Sequence, residues 1–344
     1  MIRQREDDRM VDGMVRRSPN MYDVASRAGV SHQTVSRVLN GFEGIRPDTR
    51  DRVLAAISDL GYRRNLAART LATSRSHAIG VLAPAVTDYG PTSTVQGIEV
   101  AARASGYHPL VTTTAADRDS ILSGLGFLLD QSIEALVVIA PQDRILEALR
   151  QLDITLPIAT LQSVQFGRGT SISVDQSSGA RLAMAHLLEL GHRRIQHVAG
   201  PLEFFEAAAR RLMYEQALES AGLVAPQIVE GDWTSESGYR AADSIVPQTT
   251  AVFSANDQMA LGLIHGLFDR GRRVPEDISV VGFDDVPEAQ YYRPALTTVR
   301  QDFEQIGRVA VESLIRQIEG AGPERIAPLE AQLIVRESTA RPHE

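Results

Sequence analysis

The sequence contains no cysteine, which excludes disulfide bonds, a thiol nucleophile and any cysteine-ligated metal. Lysine is absent too, and all 35 basic side chains are arginine. A lysine-dependent phosphate loop is therefore ruled out, while arginine's planar fork still suits phosphate and guanine. No apolar run approaches the roughly 20 residues that a membrane span needs. Residues 1–20 are polar and of mixed charge, with no apolar stretch behind their arginines, so they do not read as a secretory signal. The expectation is a soluble, cytoplasmic protein. Its 344 residues, 43% of them hydrophobic, suffice for two or three folding units.

The net charge of -8 is unevenly spread. Residues 1–75 hold 14 arginines against 9 acidic residues, a net of +5 that leaves -13 for the rest. A basic head on an acidic body is the asymmetry expected when one end meets phosphate.

Within the head, Val24, Ala25 and Ala28 form a short apolar helical face that stops at Gly29. Ser31 is a good N-cap for a second helix over residues 32–40, which would bury Val35, Val38 and Leu39 and expose His32, Gln33, Ser36 and Arg37. Pro47 suits the first position of a third helix, whose apolar positions are Val53, Leu54, Ile57 and Leu60 and which ends at Gly61. Two short helices joined by a tight turn, with a third behind them, make a helix-turn-helix over residues 21–64. Residues 65–76 have little with which to build a core and read as a linker. From His77 the pattern changes to strands over residues 78–83, 108–112, 135–139, 158–160, 195–198, 251–254 and 279–283, with a helix over 94–105 and further helical patterns between most strands. Such alternation predicts parallel sheets covered by helices. Residues 77–344 exceed one modest α/β domain, so two lobes with a ligand between them are expected.

The run Tyr22-Asp-Val-Ala-Ser-Arg-Ala-Gly-Val-Ser-His-Gln-Thr-Val-Ser-Arg-Val-Leu-Asn40 resembles the DNA-binding head of the LacI/GalR repressor family. The resemblance extends through Leu190-Gly-His192, Ala199-Gly-Pro201, Ala255-Asn-Asp-Gln-Met-Ala-Leu-Gly262, Asp277-Ile-Ser-Val-Val-Gly-Phe-Asp-Asp285 and Leu296-Thr-Thr-Val-Arg-Gln-Asp-Phe303. It implies an all-α helix-turn-helix head followed by a two-lobed, periplasmic-binding-protein-like α/β body with parallel sheets.

The resemblance also places roles. His32, Gln33 and Arg37 would read base edges: Arg37 can fork onto guanine, and Gln33 can pair with adenine. Tyr22, Ser31, Thr34, Ser36 and Asn40 would hold phosphates, which sets register rather than sequence. Leu71 matches the leucine of a hinge helix that wedges into the minor groove, and Ala68 matches a neighbouring groove contact. In the body, Trp233 would face a sugar, while Arg210, Asn256 and Asp284 match hydroxyl-binding positions. Tyr89, Pro91, Gln162, Gln301 and Phe303 complete the expected lining. Plainer roles compete at three of these: core packing for Trp233, helix capping for Asp284, and a surface ion pair with Glu206 for Arg210.

Two departures from the family pattern bear on the ligand. The family's Asn-Pro-Phe-like run is replaced by Asp88-Tyr-Gly-Pro91, closer to one branch of the family. That branch carries an aspartate where Gln162 stands here, and a neutral amide donates as well as accepts. Galactosides and other β-linked sugars are both open.

The expected partners are two-fold operator DNA, a small sugar or glycoside, and a second copy of the chain. No membrane partner, cofactor, metal or catalytic residue is expected. An inducer that releases DNA is the first reading, and a corepressor is the alternative. A free solute-binding protein would share the body but lack the head. An enzyme is disfavoured by the absence of a Gly-x-Ser-x-Gly elbow and of paired-histidine metal motifs. His186 and His192 are expected to cap or pack. The stretch after residues 333–336 has no apolar heptads, which points to a dimer. Residues 1–20 are expected to be a disordered leader, with Met10, Met14 and Met21 as alternative starts.

Overall fold

The computed structural model describes residues 19–63, 75–85, 88–162, 167 and 169–343. The chain divides into two compact units, residues 1–75 and 76–344.

The described part of the first unit holds α1 (Met21–Ala28), α2 (His32–Leu39) and α3 (Pro47–Leu60). Asn20 starts α1 through a reciprocal cap. Its Oδ1 accepts from the Tyr22 and Asp23 amides at 2.9 and 3.0 Å, and Asp23 Oδ2 accepts from the Asn20 amide at 2.8 Å. Asn20 therefore belongs to the helical unit rather than to the leader. Gly29 ends α1 with a φ of 65°, a left-handed conformation that favours glycine. Ser31 Oγ then accepts from the Thr34 amide at 3.2 Å and opens α2. Val24, Val35, Val38 and Val53 form the centre of a small core with three alanines. Leu54 is 50% exposed, because α3 turns a single stripe inward and Val53 and Ala56 occupy it. The hinge positions Ala68 and Leu71 lie outside the described residues.

The second unit contains two sheets. The first comprises β1 (Ala78–Pro84), β2 (His108–Thr114), β3 (Ala135–Ile139), β4 (Ile158–Leu161) and β5 (Thr170–Ile172), all parallel, in the order β2-β1-β3-β4-β5. The second comprises β6 (Ile195–Ala199), β7 (Val229–Glu230), β8 (Ala251–Ser254), β9 (Ser279–Asp284), β10 (Thr297–Arg300) and β11 (Gln332–Ile334), in the order β11-β10-β9-β8-β6-β7. Only the β10–β11 pair is antiparallel. The helices are α4 (Tyr89–Ala104), α5 (Arg118–Asp130), α6 (Asp143–Arg150), α7 (Gln176–Glu189), α8 (Phe205–Ser220), α9 (Ser235–Ala241), α10 (Asp257–Asp269) and α11 (Phe303–Ile318).

Strands β5, β7, β10 and β11 were not evident from hydrophobic periodicity, since each is four residues or shorter and displays no repeat. Helix α4 begins at Tyr89 instead of position 94, which puts Tyr89 and Pro91 in its first turn.

The chain passes between the sheets three times: from β5 to α7, from β10 to α11, and from α11 back to β11. Helix α11 packs on α4 and on the first sheet. At their crossing a Cβ on Gly97 would lie 2.9 Å from Glu304 Cα, and one on Gly307 would strike the backbone of Ile98. This close approach sets the Tyr89 ring edge-on to Phe303, with centroids 5.6 Å apart. Strand order reverses between β1 and β3 and again between β6 and β8. In open parallel sheets such points leave a crevice at the carboxyl ends of the strands.

Candidate DNA-reading helix and ligand cavity

Helix α2 exposes His32, Gln33 and Arg37 while Val35 and Val38 are buried beneath it. Tyr22 projects from α1 and stacks on His32, with centroids 5.2 Å apart and planes 17° from parallel. The stack fixes the amino end of α2 against α1. Arg37 lies with its guanidinium 5.5 Å from the Phe42 ring. Of the expected phosphate contacts, Ser31 and Thr34 join hydroxyls at 3.0 Å within the cap, and Asn40 Nδ2 donates to Ser36 Oγ at 3.4 Å. The exposed side chains of α2 are thus mounted on a small, rigidly capped platform. A recognition helix needs that arrangement to enter the major groove.

In the second unit, segments at the carboxyl ends of both sheets enclose a cavity of about 830 Å³, counted with its open mouth. All nine of the expected ligand positions line it: Tyr89, Pro91, Gln162, Arg210, Trp233, Asn256, Asp284, Gln301 and Phe303. Its lining combines apolar and aromatic side chains with a few convergent polar groups, as small-molecule sites do. Asp88, Gln176, Phe204 and Glu206 also line it and were not picked out from the sequence.

The polar wall is a buried ring. Arg210 donates through Nε and Nη2 to Gln176 Oε1 at 3.0 and 2.9 Å, and through Nη1 to the Ala255 carbonyl. Gln176 Nε2 donates to Gln301 Oε1 at 2.7 Å, and Gln301 Nε2 donates to Asp284 Oδ1 at 2.6 Å. Asp284 Oδ1 closes the ring 3.9 Å from Arg210 Nη2. Arg210 is 3% exposed, which corrects the surface pairing with Glu206. Asp284 caps no helix. It ends β9 with a φ of 114°, next to Asp285 at 56°. Trp233 has a φ of 71°. Backbone strain of this kind gathers at binding sites, where neighbouring structure holds it in place.

Trp233 is half-buried, lies over Gly200, where a Cβ would overlap the indole, and meets Phe204 edge-to-face at 5.7 Å. Asn256 caps α10: its Oδ1 accepts from the Met259 amide at 2.9 Å, and its Nδ2 donates to the Trp233 carbonyl at 3.0 Å. Its side chain thus holds the tryptophan loop as well as facing the cavity. Behind the wall, the Arg210 guanidinium lies 3.9 Å from the Phe283 ring, and His197 stacks on Phe253 at 4.8 Å.

Burial pushes the Asp284 carboxyl up to about 6. Arg210 and the Gln301 bond hold it down, while Asp88 and Glu206 add to the rise. Burial, then Asp284, raises Asp257 well above the usual carboxylate range, although Thr298 Oγ1 and the Val286 amide donate to it at 2.6 and 2.9 Å. Burial lowers Arg210, and Asp284 and Glu206 oppose that. His192 packs as expected, with its ring nitrogens against Thr250 Oγ1 at 2.9 Å and Ser279 Oγ at 3.1 Å; His186 meets Thr339 Oγ1 at 2.9 Å. No group of acidic or histidine side chains able to hold a metal occurs among the described residues, and none of their helices is long and apolar enough to cross a membrane.

An exposed helix on a helix-turn-helix head, joined to a two-lobed body with a cavity at the strand ends, is the architecture of a DNA-binding regulator. Residues 20–65 match the model for bacterial regulatory proteins of the lacI family, and residues 184–339 match a periplasmic binding protein-like domain. The catabolite control protein A of Priestia megaterium is 34% identical over 305 residues, covering 86% of this chain and 91% of that protein. The lactose operon repressor of Escherichia coli K12 is 34% identical over 334 residues, covering 94% and 91%. Among solved structures, the lac repressor dimer bound to operator and the anti-inducer ONPF superposes with a TM-score of 0.85 at 33% identity, covering 94% of this chain and 100% of that one. The complex of the transcriptional regulator CelR with cellobiose gives 0.68 at 30% identity, covering 93% and 99%. The chain belongs to the LacI family of bacterial regulatory proteins, and it is a DNA-binding transcription regulator.

Proposed function

We propose that the protein is a cytoplasmic, non-catalytic repressor that grips a two-fold operator as a homodimer and lets go when a sugar or glycoside fills the cavity. His32, Gln33 and Arg37 read base edges. Tyr22, Ser31, Thr34, Ser36 and Asn40 set register on phosphates, and Ala68 and Leu71 serve the minor groove. The observation that carries the effector half is the ring of Arg210, Gln176, Gln301 and Asp284. Gln176 opens α7 just beyond one crossing between the sheets, and Gln301 stands at another. A ligand that bonds to this ring and also touches Tyr89 or Gln162, beyond the strand ends of the first sheet, favours one arrangement of the lobes over the other. Any ligand that prefers one arrangement shifts the population, and operator affinity changes reciprocally. The lac repressor dimer on operator and CelR with cellobiose supply precedents for both halves.

Operator binding measured by fluorescence anisotropy, across a panel of mono- and disaccharides, tests this. At least one sugar is expected to weaken binding tenfold or more. Tighter DNA binding with sugar would replace the inducer with a corepressor, and turnover of a sugar by the pure protein would overturn the non-catalytic reading.

A further inference from the structure

Three consecutive residues at the end of β9 are pinned by different bonds. Gln301 Nε2 donates to the Asp284 carboxylate at 2.6 Å, and the Val286 amide donates to Asp257 Oδ2 at 2.9 Å. Between them, Asp285 takes two arginines: Arg300 Nε donates to its Oδ2 at 2.6 Å, and Arg336 Nη2 donates to its Oδ1 at 2.7 Å. The Asp285 side chain is 5% exposed, so both oxygens are satisfied inside the protein. Asp284 and Asp285 hold φ values of 114° and 56°. Two adjacent non-glycine residues keep such backbone only where their surroundings over-determine it. A buried carboxylate with an arginine on each oxygen does so, because charge-assisted bonds are short and strong.

The pins come from the crossings between the lobes. Arg300 ends β10 and Gln301 follows it, where the chain leaves for α11 and the first sheet. Arg336 lies just beyond β11, where the chain has returned to the second sheet. Arg336 is tied to the start of β10 as well: its Nη1 donates to the Leu296 carbonyl at 2.8 Å, and its amide to Thr297 Oγ1 at 2.9 Å. The remaining crossing, from β5 to α7, is bridged to the segment before β11 through Val174 and Leu329. Asp285 and Arg300 also line a groove with Ser93 and Gln96 of α4, which covers the first sheet. The ion-pair clamp therefore stands where the lobes meet, and the turn that presents Asp284 hangs from it.

We propose that Asp285 is a positioning residue for Asp284. The Arg300–Asp285–Arg336 clamp fixes the strained turn to the roots of two crossings, so a shift of the lobes moves the Asp284 carboxylate, and a ligand held by Asp284 restrains the lobes. This rests on the cavity being the effector site. The clamp needs a carboxylate, since in an asparagine one of the two oxygens becomes an NH2 group that meets an arginine donor with another donor. With one arm gone, the turn is free to relax towards ordinary backbone while the sheets behind it stay intact.

Hydrogen–deuterium exchange on the full chain, with no sugar present, would compare the wild type with Asp285→Asn and Arg300→Gln. The Val286 amide, held by Asp257, is expected to exchange at least about tenfold faster in both variants, with the amides of β6 unchanged. A role confined to stability would raise exchange in β6 in parallel. The Arg300 side chain is half-exposed, so its variant carries the test if Asp285→Asn does not fold. Titration calorimetry with cellobiose adds a double-mutant cycle. Arg300→Gln should lower cellobiose affinity at least about tenfold on its own and have no further effect in Asp284→Asn, because it acts through that carboxylate. Val286 exchange as slow as in the wild type, a parallel rise in β6, or additive losses in the cycle would overturn the assignment. The exchange arm involves no sugar, so it decides the clamp independently of the sugar reading, which a failure of the wild type to bind cellobiose would weaken by itself.

Discussion

Arg210 places both Nε and Nη2 on one acceptor, Gln176 Oε1, at 3.0 and 2.9 Å. The guanidinium is buried, and its fork rests on a neutral amide while Asp284 stands 3.9 Å away. A buried charge is costly unless well bonded, so the geometry of this fork matters more than its charge alone. Arg210→Lys keeps the charge but cannot reach Gln176 and Ala255 together. Calorimetry is expected to find effector affinity at least about 100-fold lower, with operator affinity in the absence of effector changed less than about threefold. An unchanged effector affinity would remove Arg210 from the site.

On the head, Arg37→Ala should cost about 1–3 kcal/mol of operator affinity and relax preference at one guanine position. Selection from a randomised operator library would reveal the position. Arg27 pairs with Asp59 at 3.0 Å on the exposed surface, and Arg27→Ala should leave sequence preference untouched. A uniform loss across all operators for Arg37→Ala would make it a phosphate contact instead.

Effector binding should weaken on the acid side of neutrality. The Asp284 carboxyl ionises at about 6 in the free protein, and its ionised form is the better acceptor of ligand hydroxyls. A ligand that selects the ionised form must displace a proton below that pH, so affinity should drop as pH falls through 6 and level off above about 7. Arg210, Asp88, Glu206 and Gln301 face the same carboxyl, so Asp284→Asn is the control: its binding curve should be flat over this window. A wild-type curve as flat as the variant's would refute the assignment.

His197 on β6 is fully buried. Its Nδ1 bonds to the Phe253 carbonyl at 2.8 Å, while Nε2 is buried without a partner. Burial is the largest of the causes that push its imidazole down to about 4, and Arg210 contributes. Between pH 4 and about 6.5 the unfolded chain therefore binds the extra proton, and stability is lost as pH falls through this window. At about 1.4 kcal/mol per pH unit the loss approaches about 3 kcal/mol. Asp284 acts oppositely, since its raised folded value adds stability as pH falls below 6. Urea denaturation of the wild type against His197→Leu isolates the histidine: the variant should gain on the wild type by about 3 kcal/mol between pH 7 and pH 4. A difference independent of pH would contradict the buried neutral imidazole.

Trp233 is the only tryptophan, so its fluorescence reports on the cavity directly. Gly200→Val should force the indole off its seat, since a Cβ there overlaps the ring. A red-shifted emission that no longer responds to effector is expected, with a stability loss of about 1–3 kcal/mol from overpacking. Unaltered emission would place the indole elsewhere.

Much of the frame was legible because it is written in local patterns. Gly29, Ser31, Pro47 and Gly61 punctuate the three head helices, and seven strands announced themselves as apolar runs. The nine positions expected at a ligand came through motif resemblance, and the fold brings them to one cavity from loops and helices that follow the strands. Strands β5, β7 and β11 carry no period at two or three residues, and neither β10 nor the start of α4 stands out from its flanking sequence. The exposure of Leu54 was not legible, because apolarity alone says nothing about which side of α3 is covered.

The amino-acid sequence by itself determined the head, its reading helix, the α/β alternation and the family, all properties of neighbours along the chain. Tertiary structure alone decided that Arg210 is buried, that Asn256 is spent partly on a cap, and that Gln176, Phe204, Asp88 and Glu206 share one cavity. The partners in the ring lie 34 and 125 residues apart, so no local spacing can announce them. Their meeting depends on two sheets bringing their carboxyl ends together, and only the folded chain does that.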